Sequence, residues 1–199
     1  MKANVIAKWF LQKNSGFPNG IEENFKINHL LYLANVMYYA RYHELLIEDD
    51  FLYGVNGPYV WDDYKKFQND DLQEQVDIIS KNEQINWVLN VVNVSYVDFS
   101  KTEFGKELSL HNILPKTKGE KIRFEEMDER IVKKMEYLLS LHEGDTFEHS
   151  EVLYVNGNKF LYENDNLVIT DEVMAYLESL KNANETYFIE MRDGELVFS

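Results

Sequence analysis

Four residues between His142 and Glu151 are the closest that this sequence comes to a set of metal ligands. They are His142, Glu143, His149 and Glu151. A helical zinc site of the common kind has two histidines one turn apart with a glutamate between them, and these residues lack that spacing. We interpret the group as a solvated acidic loop, and we predict that the chain uses no metal and no other cofactor.

Nucleophilic and phosphate chemistry leave no signature in the chain. The sequence contains no cysteine, which excludes disulfides, thiolate catalysis and cysteine metal sites. No serine lies in a Gly-x-Ser-x-Gly elbow, and Gly54 and Gly57 lie among aromatic residues rather than in a phosphate-binding loop. His29 lies in an apolar segment, where a buried structural partner is favoured over proton transfer. We predict that the chain is not an enzyme; the alternative is a hydrolase whose site has no sequence motif.

Adjacent carboxylates are numerous but carry little information. They occur at Asp49 and Asp50, at Asp62 and Asp63, and at Asp70 and Asp71. With 35 acidic residues among 199, such pairs follow from composition alone. General acid catalysis also needs a pKa raised by burial, and adjacency in sequence does not indicate burial. We interpret the pairs as solvated surface.

Amides and tyrosines at helical spacing form the one pattern that suits recognition of another protein. Asn28, Tyr32, Asn35 and Tyr39 follow a three-and-four spacing, so they lie on one side of a helix. Tyrosine buries a large area while keeping a polar group, as at binding hot spots. We predict that this stripe contacts a protein partner, together with a second set of aromatic residues: Tyr53, Tyr59, Trp61 and Tyr64. The alternative is that the stripe belongs to the core, with its polar atoms satisfied internally.

The element that carries the stripe is a predicted buried helix from Asn24 to Tyr42. Apolar residues occupy several of its faces, which is typical of a central helix, and Asn24 is a suitable N-cap. We predict a helix over Asn4–Lys13 before it. After it we predict a surface loop over residues 43–50, a short extended segment, a turn over Gly54–Pro58 and a helix from Val60 to Phe67.

Residues 72–99 fit either a helix or a valine-rich strand. Larger apolar residues recur at three or four positions, which favours the helix. They are Ile85, Val88, Leu89, Val92, Tyr96 and Phe99.

Two blocks in the first third of the chain resemble the Panacea antitoxin domain family, which includes phage-associated GepA-like and SocA-like proteins. Residues 24–34, NFKINHLLYLA, are similar to its signature helix. Residues 53–64, from Tyr53 through Gly57 and Pro58, resemble its glycine-proline turn and the tyrosine-bearing helix that follows. Asn28 and His29 stand where the family usually has glutamine and lysine. Ser100–Leu110 with His111 and Pro115 resembles the closing segment of the domain, although no tryptophan follows Pro115.

The resemblance covers residues 1–118 and implies a protein that neutralises a partner toxin by direct contact. Some members of the family act as adaptors that hand the toxin to a protease. A cognate toxin or another protein is therefore the expected partner.

Residues 119–199 are read from their own pattern as a small α+β annex. We predict helices over Met127–His142 and Asp171–Leu180. Asn156–Gly157 and Asp193–Gly194 are strong hairpin turns between apolar runs, which predicts strands over 152–155, 159–162, 187–191 and 195–198. The expected fold class is α+β, with a mainly helical domain over 1–118 and the annex over 119–199.

Composition adds limits on the partner. The formal net charge is -15, which disfavours direct binding of nucleic acid and of anionic membranes. No stretch has the ~20 apolar residues needed to cross a bilayer, and the run Val5–Leu11 is too short for a secretory signal, so we expect a cytoplasmic protein. An alternative function is that of a phage-encoded anti-defence protein whose acidic surface blocks a nucleic-acid-binding effector.

Overall fold

The chain forms two compact units. The computed structural model describes residues 1–16, 21–54, 57–60, 73–95, 118–147 and 149–199. The first unit contains residues 1–10 and 19–145, and the second contains residues 11–18 and 146–199. Residues 119–145, which the sequence analysis assigns to the annex, lie in the first unit because the helix they contain packs against its central helix.

The predicted α+β class is confirmed by six helices and two sheets in the described residues. In chain order the elements are α1 (Ala3–Lys13), β1 (Asn14–Ser15), α2 (Ile21–Tyr42), β2 (Phe51–Gly54), β3 (Gly57–Val60), α3 (Gln73–Lys81), α4 (Glu83–Ser95), a 3₁₀ turn (Phe124–Glu126), α5 (Glu129–Ser140), β4 (Ser150–Val155), β5 (Asn158–Glu163), α6 (Asp171–Ser179), β6 (Thr186–Arg192) and β7 (Glu195–Phe198). None of the described helices is both long enough and apolar enough to cross a membrane.

The first unit is mainly helical, as its periodicity predicts. The α2 helix lies at its centre, with Ile27, Leu30 and Leu31 almost completely buried. The helical interpretation of residues 72–99 is confirmed over α3 and α4. The predicted helix over residues 60–67 and the closing segment from Ser100 lie outside the described residues, except that Val60 ends strand β3.

Two local predictions for the first unit are wrong. Asn24 is not an N-cap, because α2 begins at Ile21 and Asn24 accepts hydrogen bonds from Asn28 within the helix. The segment after α2 is not entirely on the surface, because the apolar side chains of Leu46 and Ile47 are buried.

The second unit is a five-stranded mixed sheet in the order β1-β4-β5-β6-β7. Both predicted hairpins are confirmed. Asn156 and Gly157 have φ values of 49° and 77°, and Asp193 and Gly194 have 52° and 84°, as the tight turns of two-residue hairpins require. Strands β5 and β6 are connected by α6 and pair with each other in parallel, so the two hairpins form one sheet. Strand β1 pairs in parallel with β4, which the sequence did not indicate.

The core of the second unit lies between the sheet and α6. Its buried side chains are Leu153, Val155, Phe160, Leu167, Leu177 and Ile189. The hydroxyl of Thr170 caps α6 by accepting a hydrogen bond from the backbone N–H of Val173 at 3.3 Å. Helix α6 thus buries the alternate residues of the strands that face it.

Asn158 at the start of β5 fixes the loop that leads into β6. Its side chain is fully buried, its Nδ2 donates to the carbonyl of Lys181 at 2.9 Å, and its Oδ1 accepts from the N–H of Ala183 at 3.0 Å. A buried amide with these partners holds the loop in one conformation, because each lost bond leaves an unsatisfied backbone group.

We expect Asn158→Ala to lower the free energy of unfolding of the second unit by about 2–4 kcal/mol, because buried backbone groups lose their partners. Urea denaturation followed by far-ultraviolet circular dichroism measures the change. The matched control is Asn164→Ala at an exposed position, where a change below ~0.5 kcal/mol is expected. Equal effects of the two substitutions would contradict this role of Asn158.

Candidate protein-binding site

The amide and tyrosine stripe of α2 faces the β2–β3 hairpin and the loop that precedes it. Asn28 is the first residue of the stripe. Its side-chain Oδ1 accepts a hydrogen bond from the backbone N–H of Val60 in β3 at 3.0 Å, while its Nδ2 donates to Asn24. This contact joins the helix to strand β3, which contains Gly57 and Pro58 of the predicted turn. The two blocks that carry the family resemblance therefore lie together.

Tyr32 is the second residue of the stripe and lies in the core. Only 7% of it is exposed, and its ring centroid lies 6.1 Å from that of Phe51 in β2 and 5.8 Å from that of Phe124. Phe51 and Phe124 are themselves 5.5 Å apart in an edge-to-face arrangement. Burial raises the pKa of the Tyr32 hydroxyl well above its usual value, because the phenolate would lose its hydration.

Asn35 is the third residue of the stripe and is fully buried. Its Oδ1 accepts a hydrogen bond from the backbone N–H of Ile47 at 2.8 Å, which fixes the loop between α2 and β2. Its Nδ2 has no hydrogen-bond acceptor among the described residues. The Asn35 side chain thus satisfies one buried amide group, as a core residue does.

The β2–β3 hairpin has one buried and one partly exposed face. Phe51 and Val60 pair across the strands on the buried face, and Leu52 pairs with Tyr59 on the other. The Tyr59 ring covers Gly54, where an added Cβ would lie 2.8 Å from its Cδ1. The absence of a side chain at position 54 therefore leaves room for the Tyr59 ring.

A third segment closes the free side of β2. The backbone N–H of Tyr53 donates to the carbonyl of Glu120 at 2.9 Å, and the N–H of Gly119 donates to the carbonyl of Tyr53 at 2.8 Å. The N–H of Ile122 donates to the carbonyl of Phe51 at 2.8 Å. Helix α2, the β2–β3 hairpin and residues 119–122 together form what we call the platform.

The structure divides the predicted partner-binding residues into two groups. Tyr32 and Asn35 are buried and hold the platform together, whereas Asn28, Tyr39, Tyr53 and Tyr59 are partly exposed. Trp61 and Tyr64 lie outside the described residues. Of the predicted tyrosines that the structure describes, Tyr39, Tyr53 and Tyr59 are therefore the ones accessible to a partner.

A chain of hydrogen bonds through His142 was not indicated by the sequence. Ser95 Oγ lies 3.2 Å from His142 Nε2, and His142 Nδ1 lies 2.9 Å from Asp145 Oδ2. Serine hydrolases use the same order of groups, so the arrangement requires a chemical interpretation. Sequence reasoning missed it because the serine and the histidine are 47 residues apart and belong to no local motif.

The position of Ser95 favours a structural role for this chain of hydrogen bonds. Ser95 is the last residue of α4, and the last turn of a helix presents carbonyl groups rather than the amide donors that stabilise an oxyanion. The Asp145 side chain is 52% exposed, so water screens its effect on His142. We interpret the three residues as a tie between the end of α4 and the turn after α5.

Arg41 makes a second tie to the same turn. Its Nη1 donates to Glu143 Oε1 at 2.8 Å, and its guanidinium lies 5.6 Å from the centre of the Trp87 ring. The last turn of α2 is thereby joined to α4 and to the turn after α5.

Metal ligation has no support in the described part of the chain, which contains no group of three or more His, Cys, Asp or Glu residues placed to hold an ion.

Comparison with protein-family models, with curated proteins and with solved structures finds no match. The resemblance to the Panacea family therefore stays a prediction from the residues quoted above.

We expect the stability of the first unit to fall above pH 10 because of Tyr32. The pKa of its hydroxyl is raised in the folded state, so the unfolded chain loses the proton first, and its free energy falls relative to that of the folded state as the pH rises. Each such tyrosine weakens folding by up to ~1.4 kcal/mol per pH unit above its unfolded pKa. Urea denaturation at pH 9 and pH 11 measures the effect, and Tyr32→Phe should lose less stability over this interval than the wild type. Equal losses would contradict the assignment.

We expect Asn35→Leu to lower the free energy of unfolding by about 2 kcal/mol, because the N–H of Ile47 stays buried without an acceptor. Hydrogen exchange at the Ile47 amide should accelerate in the same variant. Leu45→Ala in the same loop is the control, since this side chain is partly exposed and should cost less than half as much. Unchanged exchange at Ile47 would refute the role of Asn35.

Proposed function

We propose that this chain is a non-catalytic antitoxin that neutralises a partner toxin through direct contact. The observation that carries the proposal is the platform, in which Asn28 and the Tyr32 cluster hold α2 against the hairpin. These are the two blocks that resemble the Panacea family, and neither contains groups arranged for a reaction in the described residues. The resemblance supplies the antitoxin role, and the platform supplies a way to perform it.

A preformed platform favours tight binding because little conformational entropy is lost when the partner docks. Its accessible tyrosines, Tyr39, Tyr53 and Tyr59, combine apolar area with a hydroxyl that can hydrogen-bond at an interface. Tyr59 is the best placed of them, because it lies on the hairpin face that points away from the buried Phe51 and Val60 pair.

The charge of the chain supports a basic partner. A net charge of -15 attracts a positively charged protein over distances beyond direct contact and raises the rate of encounter. Such attraction weakens as salt screens the charges, so the association rate should fall steeply between low and physiological ionic strength.

The test uses the product of the gene adjacent to this one, with binding measured by calorimetry and neutralisation by growth of cells that express both proteins. Tyr59→Ala should weaken binding at least tenfold, equivalent to ~1.4 kcal/mol. The matched control is Tyr137→Ala in α5, because Tyr137 is 63% exposed in the same unit and belongs to no predicted site. Its affinity should stay within twofold of the wild type.

Ser95→Ala separates binding from catalysis in the same experiment. Full neutralisation by this variant is expected, because a stoichiometric inhibitor needs no nucleophile. Loss of neutralisation with binding retained would overturn the non-catalytic proposal and favour a hydrolase. Absence of any binding by the wild type would overturn the antitoxin proposal itself.

A further inference from the structure

One edge of the sheet in the second unit has no partner strand among the described residues. Strand β7 is last in the order β1-β4-β5-β6-β7, and no described strand pairs with its other side. Edge strands are usually protected by lysine, proline or a bulge, because unpaired backbone groups attract further strands. β7 reads Glu-Leu-Val-Phe in unbroken register with β6 and has no lysine, proline or bulge.

The register shows which backbone groups point outward. Phe188 and Ser199 exchange two hydrogen bonds of 2.9 Å each, so this pair is of the hydrogen-bonded type. Pairs alternate along an antiparallel ladder, which places Ile189–Phe198 and Met191–Leu196 in the non-bonded type. The N–H and C=O groups of Leu196 and Phe198 therefore point away from β6, where an added strand would meet them.

Apolar side chains border this edge on both faces of the sheet. On the α6 face, Phe198 contacts Tyr176 with ring centroids 6.0 Å apart, and Tyr176 is 51% exposed. On the opposite face, Phe188 is 49% exposed, and Val197 lies on the same face across from Glu190. An added strand with apolar residues at alternate positions would extend one of these two groups.

The surroundings of the edge are acidic. Residues 146–199 contain eleven Asp and Glu residues against three Lys and Arg residues. Of the three cations, Lys159 is buried and Arg192 is paired with Glu190, so they offset little of the surface charge. Asp193 and Glu195 are exposed at the turn end of β7, and Glu172 lies one helical turn from Tyr176.

We propose that β7 is a docking edge for an extended, basic segment of the partner protein, which adds to the sheet as a sixth strand. Backbone hydrogen bonds to Leu196 and Phe198 give the affinity, and the acidic surroundings select a segment rich in Lys or Arg. The identification of that partner as a toxin rests on the proposed function. A second copy of this chain is disfavoured as the occupant, because it would bring two acidic edges together.

The probe is a short blocked peptide of alternating lysine and valine, added to the full chain labelled with nitrogen-15. Its counterpart with glutamate in place of lysine is the charge control. Hydrogen exchange at the Leu196 and Phe198 amides should slow at least tenfold with the lysine peptide, whereas the Val197 amide, already bonded to β6, should change little. The glutamate peptide should have no effect.

Two variants at one position separate the backbone contact from the side chain. Leu196→Pro removes the outward N–H while keeping the bonds of β7 to β6, and it should weaken peptide binding at least tenfold. Leu196→Ala keeps the donor and should stay within threefold of the wild type. Because the proline variant can lose structure, circular dichroism accompanies it, and the exchange measurement on the wild type tests the docking edge without any substitution.

Each result bears on one claim. Unchanged exchange at the Leu196 and Phe198 amides with the lysine peptide would overturn the docking edge. Slow exchange at these two amides without any peptide, in a chain that sediments as a dimer, would overturn it as well. Protection of both amides by the peptide, together with failure to bind the adjacent gene product, would leave the edge standing and remove the antitoxin proposal. Toxin binding that is equally tight in the wild type and in Leu196→Pro would leave the antitoxin proposal standing and remove the docking edge.

Discussion

Buried backbone amides of the loop and the hairpin require acceptors, and two side chains of α2 provide them. Asn28 accepts from Val60, and Asn35 accepts from Ile47, so the helix fixes both the approach to the hairpin and its final strand. Between them Tyr32 fills the space against Phe51 and Phe124. Loss of either acceptor would leave a polar group in an apolar interior, which costs more than a hydrogen bond contributes. The order of the first unit depends on this arrangement more than on any single apolar contact.

Local periodicity was sufficient to predict most of the secondary structure. Helices α1, α2 and α5 and both hairpins of the second unit follow from spacing and turn residues that act over a few positions. The parallel pairs β1–β4 and β5–β6 join segments distant in the chain, and no local pattern specifies them. The same limit hid the contact of Ser95 with His142, because neither residue has a neighbour in sequence that indicates the other.

The binding stripe shows why residue types alone left two interpretations open. Asparagine and tyrosine suit an interface and a satisfied core equally well, and only burial separates the two. Asn35 and Tyr32 proved to be buried, while Tyr39, two turns from Tyr32, is partly exposed. An amide placed between apolar neighbours on a central helix does carry a signal, since it requires an internal donor or acceptor. That signal predicts a backbone partner without naming it.

The second unit is assembled from two separate parts of the chain. Strand β1 follows α1 directly and pairs with β4 through Asn14 and Val152. Gly16, the first residue after β1, lies so close to the carbonyl of Tyr154 that no side chain fits there. A fragment beginning at residue 146 would therefore start with an incomplete sheet, in which β4 replaces β1 as the edge strand. Excision of this unit for separate study, or its transfer to another protein by fusion, must carry residues 11–18 with it, because a cut after residue 145 would expose the backbone groups of β4 that pair with β1.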